Sequence, residues 1–190
     1  MNGKYPRTHH CNELTLAQVG QPVDLSGWVN SCRNLGGLVF IDLRDREGVT
    51  QLFIDPAKRP ELAARAATIR EEWVIAVTGT VRARPENMVN RNRPTGTIEV
   101  DLETLTVLNR AAPMPFNLED PSVSEDLRLK YRYLDMRRSS LVNNLRLRHK
   151  ITKVARDVLD EHGFVEVETP ILSKSTPEGA RDYLVPSRVN

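Results

Sequence analysis

The stretch Val23–Asp55, VDLSGWVNSCRNLGGLVFIDLRDREGVTQLFID, alternates apolar and polar side chains in three runs. VDLSGWVNSCR is broken by the Gly36–Gly37 pair, LVFIDLRD resumes the pattern, and REG at 46–48 separates it from VTQLFID. Period-two alternation bounded by glycine turns predicts three consecutive strands, each with one face on a core. In LVFIDLRD the core face takes Val39, Ile41 and Leu43, leaving Phe40, Asp42 and Arg44 on the other.

Working outward, PELAARAATIREE interrupts the β pattern with a short helix. Pro60 suits a first-turn position, and Leu62, Ala66 and Ile69 share one face. WVIAVTGTVRAR and TIEVDLETLTVL then supply two more strands. Three strands, a helix and two strands is the order of a five-stranded OB-fold barrel. The helix between the third and fourth strands favours it over an SH3-like barrel. AAPMPFNLEDPS follows, with three prolines in twelve residues, and reads as an extended connector. Ser124 is placed to cap a helix with acids in its first turn. A longer helix is predicted from about Leu141 to His162, with Leu147, Ile151, Val154 and Val158 at helical spacing and Gly163 ending it. FVEVE is expected to be a strand. The expected organisation is a mainly β domain at 1–109, a linker at 110–123 and the start of an α/β domain at 124–190. The lone strand leaves that last unit without a partner to complete its sheet.

Composition narrows the function. The 190 residues include 27 basic and 25 acidic side chains, a formal charge of +2, so nucleic-acid binding has to rest on local patches. Two cysteines, Cys11 and Cys32, are too few for a disulfide framework or a four-ligand zinc site and suit reduced thiols in a cytoplasmic protein. The polar start, MNGKYPRTHHC, lacks a secretory core, and no apolar run approaches bilayer length. Adjacent histidines His9 and His10 do not make a metal site, and none is expected.

The outer face of the barrel carries the chemistry. An aromatic such as Phe40 among polar outward residues can stack on an unpaired base. Glu99 and Asp101 lie opposite Ile98, Val100 and Leu102, and a carboxylate there can read a base edge while repelling phosphate. VRARPENMVNRNRP, with Arg82, Arg84, Arg91 and Arg93 against Glu86, gives a basic rim in the connection that borders an OB groove. The same residues also allow simple packing for Phe40 and a solvated hairpin for the arginines.

GGLVFIDLRDREG, RLKYRYLDMRR and GFVEVETPILSKSTPEGARDYLVPSR together resemble the N-terminal third of the bacterial-type aspartyl-tRNA synthetases, which are class II enzymes. The resemblance runs from about Arg7 to Arg188, and TPEGARDYLVPSR favours the aspartate branch over the asparagine and lysine branches. It implies that the barrel binds the anticodon of tRNA(Asp), with Phe40, Gln51 and Glu99 stacking on and reading its bases. Arg33 occupies a basic contact position, although Ser31–Cys32 stand where the family more often has two arginines. Gln51 alternates with Val49 and Phe53, so its role rests on the resemblance alone. Leu35 is of the type the family associates with discrimination between tRNA(Asp) and tRNA(Asn).

The long helix and GFVEVETP match class II motif 1, which implies a homodimer interface that includes Pro170. Glu178 matches a residue that binds the α-ammonium of L-aspartate. ATP and Mg²⁺ are the implied co-substrate and ion of the parent enzyme, where phosphate-binding arginines stabilise charge as the aspartyl-adenylate forms. Those arginines belong to two further motifs, and the chain ends at Asn190 before either. The portion in hand is therefore expected to be inactive alone, with no catalytic residue and no bound cofactor. The alternative reading is a stand-alone OB-fold RNA-binding or interaction module.

Overall fold

The computed structural model describes residues 7–172 together with Tyr183, Val185, Pro186 and Arg188. The chain divides into two compact units, Met1–Phe116 and Asn117–Asn190.

In the first unit the predicted order appears as β1 (Pro22–Leu35), β2 (Leu38–Arg44), β3 (Val49–Ile54), α1 (Pro60–Ala67), β4 (Val74–Ala83) and β5 (Ile98–Asn109). They close a barrel in the order β1-β2-β3-β5-β4, with β3 and β5 parallel and the other pairs antiparallel. Closure depends on β1 serving two neighbours. Its first half, Pro22–Trp28, pairs with β4, and its second half, Trp28–Leu35, pairs with β2 across an irregularity between Val29 and Ser31. An irregularity of this kind bends a strand and removes an exposed edge. Gly27 lies shortly before this irregularity, where an added Cβ would lie 2.3 Å from the Arg44 carbonyl oxygen, so only glycine permits the approach.

The core follows the alternation. Val39, Ile41 and Leu43 of β2 meet Leu52 and Ile54 of β3 and Ile98, Val100 and Leu102 of β5, all essentially inaccessible. Ala63, Ala66 and Ile69 on and just after α1 pack on the same core. The segment before β1 also contributes. Cys11 and Leu14 are buried in the core cluster, and the Asp45 carboxylate accepts hydrogen bonds from the backbone N–H groups of Cys11, Glu47 and Gly48.

The second unit holds α2 (Glu125–Lys130), α3 (Arg132–Asp135) and α4 (Ser139–Glu161). Ser124 caps α2 as expected, its hydroxyl accepting from the Leu127 N–H. At Tyr131, φ −111° and ψ 49° break the helix and start α3. Helix α4 ends in a Schellman turn: Gly163 has φ 79°, its N–H donates to the Asp160 carbonyl, and the Phe164 N–H donates to that of Leu159.

Beyond α4 the structure departs from the sequence reading. Residues 164–170 are not a strand, because no described segment offers a ladder to pair with. Glu166 instead makes a two-pronged ion pair with Arg156 of α4, at 2.8 and 2.9 Å. The α4 apolar positions Leu147, Ile151, Val154 and Val158 are all exposed within the chain.

Candidate nucleic-acid interface

The outer positions of five strands meet on one face of the barrel. Strand register sets Arg33 opposite Phe40, Phe40 opposite Phe53, Asp42 opposite Gln51 and Arg82 opposite Glu99. Residues far apart in the chain therefore become neighbours. The Phe40 and Phe53 rings lie 5.5 Å apart at 56°, and the Arg82 guanidinium carbon sits 3.6 Å from the Phe53 ring centre. That cation–π contact lays a charge across the aromatic pair.

From Arg82 a polar chain crosses the face. Its Nε and Nη2 donate to Glu99 Oε1 at 2.9 and 2.6 Å, and Gln51 Nε2 donates to Glu99 Oε2 at 2.8 Å. Arg33 Nη2 reaches Gln51 Oε1 at a long 3.5 Å and donates to both oxygens of Asp42 at 3.1 and 3.2 Å. Asp42 also accepts from the Ser31 hydroxyl at 3.0 Å and pairs with both terminal nitrogens of Arg93 at 2.9 Å. Burial opposes ionisation of Asp42, but Arg93, then Arg33 and the Ser31 hydroxyl, outweigh it and hold its carboxyl below the usual range.

Exposure divides this cluster into two layers. Phe40 (8%), Gln51 (9%), Glu99 (3%) and Asp42 (1%) are covered, whereas the side chains of Arg33 and Arg82 are 46% and 37% exposed. The accessible layer is guanidinium, with ring, amide and carboxylates beneath. Such a surface attracts phosphate first and offers stacking and hydrogen-bonding groups once an arginine shifts.

The structure thus gathers Phe40, Gln51, Glu99, Arg33 and Arg82 on one face. Gln51 is where alternation misled. Thr50, Leu52 and Ile54 take the core, so Val49, Gln51 and Phe53 face outward despite two of the three being apolar. Sequence reasoning left out Phe53, and although it put Asp42 on the outward face beside Phe40, it did not find the clamp of Asp42 on Arg93. The cue for Phe53 lay in the same run, where a second phenylalanine shares parity with Gln51.

Arg84 is a correction: it is not on the exposed rim. It is buried, its Nε donates to the Ile98 carbonyl at 2.8 Å, and its Nη2 has no hydrogen-bond partner among the described residues. Burial lowers its pKa, opposed by the charges of Glu99 and Asp42. Arg91 remains exposed. Glu178 lies outside the described residues, and Pro170 is exposed on the segment after α4. Among the described residues no three His, Cys, Asp or Glu side chains converge to hold a metal. None of the helices described is long and apolar enough to cross a membrane.

Two protein families match separate stretches of the chain. Residues 23–108 match the family of OB-fold nucleic acid binding domains, and residues 124–190 match the class II tRNA synthetases (D, K and N). An aspartate–tRNA(Asp/Asn) ligase of Methylacidiphilum infernorum is 54% identical over 97% of this chain and 31% of its own length. One of Anoxybacillus flavithermus is 56% identical over 98% of this chain and 32% of its own. The chain thus spans about a third of the length of these curated relatives. Among solved structures, asparaginyl-tRNA synthetase from Pyrococcus horikoshii, complexed with asparaginyl-adenylate, aligns with a TM-score of 0.79 at 26% identity. That alignment covers 92% of this chain and 38% of the other. Aspartyl-tRNA synthetase from Entamoeba histolytica shares the fold, with a TM-score of 0.80 at 23% identity over 90% of this chain and 40% of its own.

Proposed function

We propose that this chain belongs to the class II tRNA synthetases of the D, K and N group and is the anticodon-reading portion of an aspartate–tRNA ligase. The observation that carries the reading is the convergence of Phe40, Gln51 and Glu99, drawn from three strands, beneath the exposed guanidinium groups of Arg33 and Arg82.

Arg33 and Arg82 attract the phosphates of the anticodon loop, and Arg91 and Arg93 extend the charge along the β4–β5 connection. As Arg82 turns from Phe53 to a phosphate, the aromatic pair is uncovered and one unpaired base stacks on Phe40. Gln51 and Glu99, already bonded to each other, present an amide and a carboxylate to the hydrogen-bonding edge of the next base. The carboxylate accepts from an amino or imino group and rejects a base that offers only acceptors. Arg84 supports the site from beneath and has a donor to spare.

In the parent enzyme the reaction is ATP-dependent attachment of L-aspartate to tRNA through aspartyl-adenylate. Glu178 pairs there with the α-ammonium of L-aspartate. The exposed stripe of α4 and Pro170 form a homodimer interface, and the location is the cytoplasm, with tRNA. ATP and Mg²⁺ belong to that parent active site. The described residues include no convergent acidic ligands for the ion. The relatives quoted are named for both tRNA(Asp) and tRNA(Asn), whereas Leu35, exposed at the β1–β2 turn, is of the discriminating type.

The test is titration of the chain with tRNA(Asp) and tRNA(Asn) anticodon stem-loops and with single-base variants of each. Preference for the matched loop is expected. Equal binding of every loop would refute anticodon reading.

A further inference from the structure

We propose that Asp42 is a positioning residue for base discrimination, holding Arg33 and Arg93 in place on the reading face. The proposal rests on the anticodon reading above and deepens it.

A buried acid at the centre of a surface for RNA needs a reason, because it repels phosphate and weakens attraction to every sequence alike. Asp42 is not itself a reader. A carboxylate has about four lone-pair sites, and here they receive the Ser31 hydroxyl, Arg33 Nη2 and both terminal nitrogens of Arg93. With its side chain 1% exposed, it has neither a free site nor an approach for a base. Its role lies in what it holds. Ser31 and Arg33 come from β1, Asp42 from β2, and Arg93 from the 84–97 connection between β4 and β5. One carboxylate thus ties three separate segments together, and the Arg93 contact is a fork on both oxygens, which fixes direction as well as distance.

The rest of the connection explains why this tie matters. Its far end is pinned by the Thr95 hydroxyl on the Val49 carbonyl at 2.6 Å, and Gly96 is packed so closely against Asn90 that no side chain fits there. Arg91, between these points, is exposed. The Asp42–Arg93 fork is therefore the side-chain tie that draws the middle of the connection onto β2. The groups facing Asp42 are otherwise cationic: Arg33, Arg93 and the buried Arg84. Without the carboxylate, Arg33 and Arg93 repel each other and turn to solvent, where they meet phosphates of any sequence. Arg33 also leaves Gln51, whose amide it helps to orient.

Simple electrostatics and positioning predict different behaviour for Asp42→Asn. Loss of a negative charge alone strengthens binding to all loops equally and leaves discrimination unchanged. Under the positioning role, the mismatched loop binds as well or better, with a salt slope steeper by about 0.7 for each freed arginine that takes up a phosphate. At the same time, preference for the matched loop falls about tenfold. Arg93→Lys keeps the charge but cannot grip both oxygens, so discrimination should fall with the salt slope unchanged.

Fluorescence titrations of the full chain with matched and single-base-changed tRNA(Asp) stem-loops, at several salt concentrations, decide the matter. A folded Asp42→Asn protein whose discrimination stays within twofold of the unmodified chain overturns the proposal. If that variant does not fold, the same result from Arg93→Lys overturns it. An unmodified chain that binds all loops alike removes the anticodon reading itself, and this is seen before any variant is made.

Discussion

Replacing Phe40 by leucine separates stacking from packing, which replacement by alanine does not. The ring is 8% exposed and sits 5.5 Å from Phe53 in a tilted pair. Truncation to alanine removes that pair, worth about 0.5–1.5 kcal/mol, and opens a gap on the barrel wall. Phe40 lies outside the central core cluster, so the total falls near the lower end of large-to-small losses, about 3 kcal/mol. For a domain of this size that lowers Tm by roughly 12–24 °C, and weak binding by such a protein would prove little. Leucine keeps most of the apolar volume at a cost of about 1–1.5 kcal/mol and still removes the aromatic face. If a base stacks on Phe40, Phe40→Leu loses about 1–3 kcal/mol of affinity, roughly 5- to 150-fold, with the salt slope unchanged because no charge has moved. Urea denaturation first establishes that the variant is folded. Titration with the tRNA(Asp) stem-loop then measures affinity. Unmodified affinity in a folded Phe40→Leu protein would refute the stacking role and leave the ring as wall packing.

Other expectations follow from the barrel. Gly79→Ala drives a Cβ to 2.4 Å from the Asp101 carbonyl oxygen at the β4–β5 irregularity, so urea denaturation should register a loss of about 1–3 kcal/mol. Burial of Asp45 opposes its charge, but hydrogen bonds from the Cys11, Glu47 and Gly48 N–H groups and from His10 outweigh it, and its folded pKa is depressed. A depressed carboxylate adds stability above its unfolded value, about pH 4, and that stability is lost as pH falls through the lower folded value. The urea midpoint should therefore drop on acidification below about pH 4; Asp45→Asn should be about 1–3 kcal/mol less stable at neutral pH and show a flatter acid limb. Burial, aided by Asp45, pushes the Cys11 thiol up to about 12, so a thiol reagent at mildly alkaline pH should modify Cys11 only as fast as the barrel opens. Labelling at the rate of an exposed peptide thiol would mean that the segment before β1 is not seated on the core.

Much of the barrel was legible because its instructions are local. The Gly36–Gly37 turn, the alternation in LVFIDLRD and the proline at the start of α1 each act within a few residues. Barrel closure was less so. It depends on β1 serving both β2 and β4, with a close approach at Gly27, and a glycine within an alternating run signals close approach without naming the partner. The run FVEVE failed as a strand for the opposite reason. Its alternation is sound, but a ladder needs a second segment, and without one among the described residues Glu166 turns to Arg156.

The candidate site was legible in its residues and illegible in its connections. Counting positions put Phe40 and Glu99 on outer faces correctly, because their core neighbours are plainly aliphatic. The same count missed Gln51, since Val49 and Phe53 look like core and Thr50 does not. The register settles it: Thr50 is drawn inward because its hydroxyl has a buried carbonyl to satisfy, that of Cys11. A contact across 39 positions of sequence decides which face a threonine takes, and that choice carries Gln51 and Phe53 to the outside. Arg84 was misplaced by a related effect. In a basic segment every arginine looks like rim, yet the Ile98 carbonyl and the nearby Glu99 and Asp42 make a buried guanidinium tolerable at that one position. Charge composition can indicate that a surface meets phosphate. Which of its charges is held, and by what, depends on pairings that only the folded chain brings together.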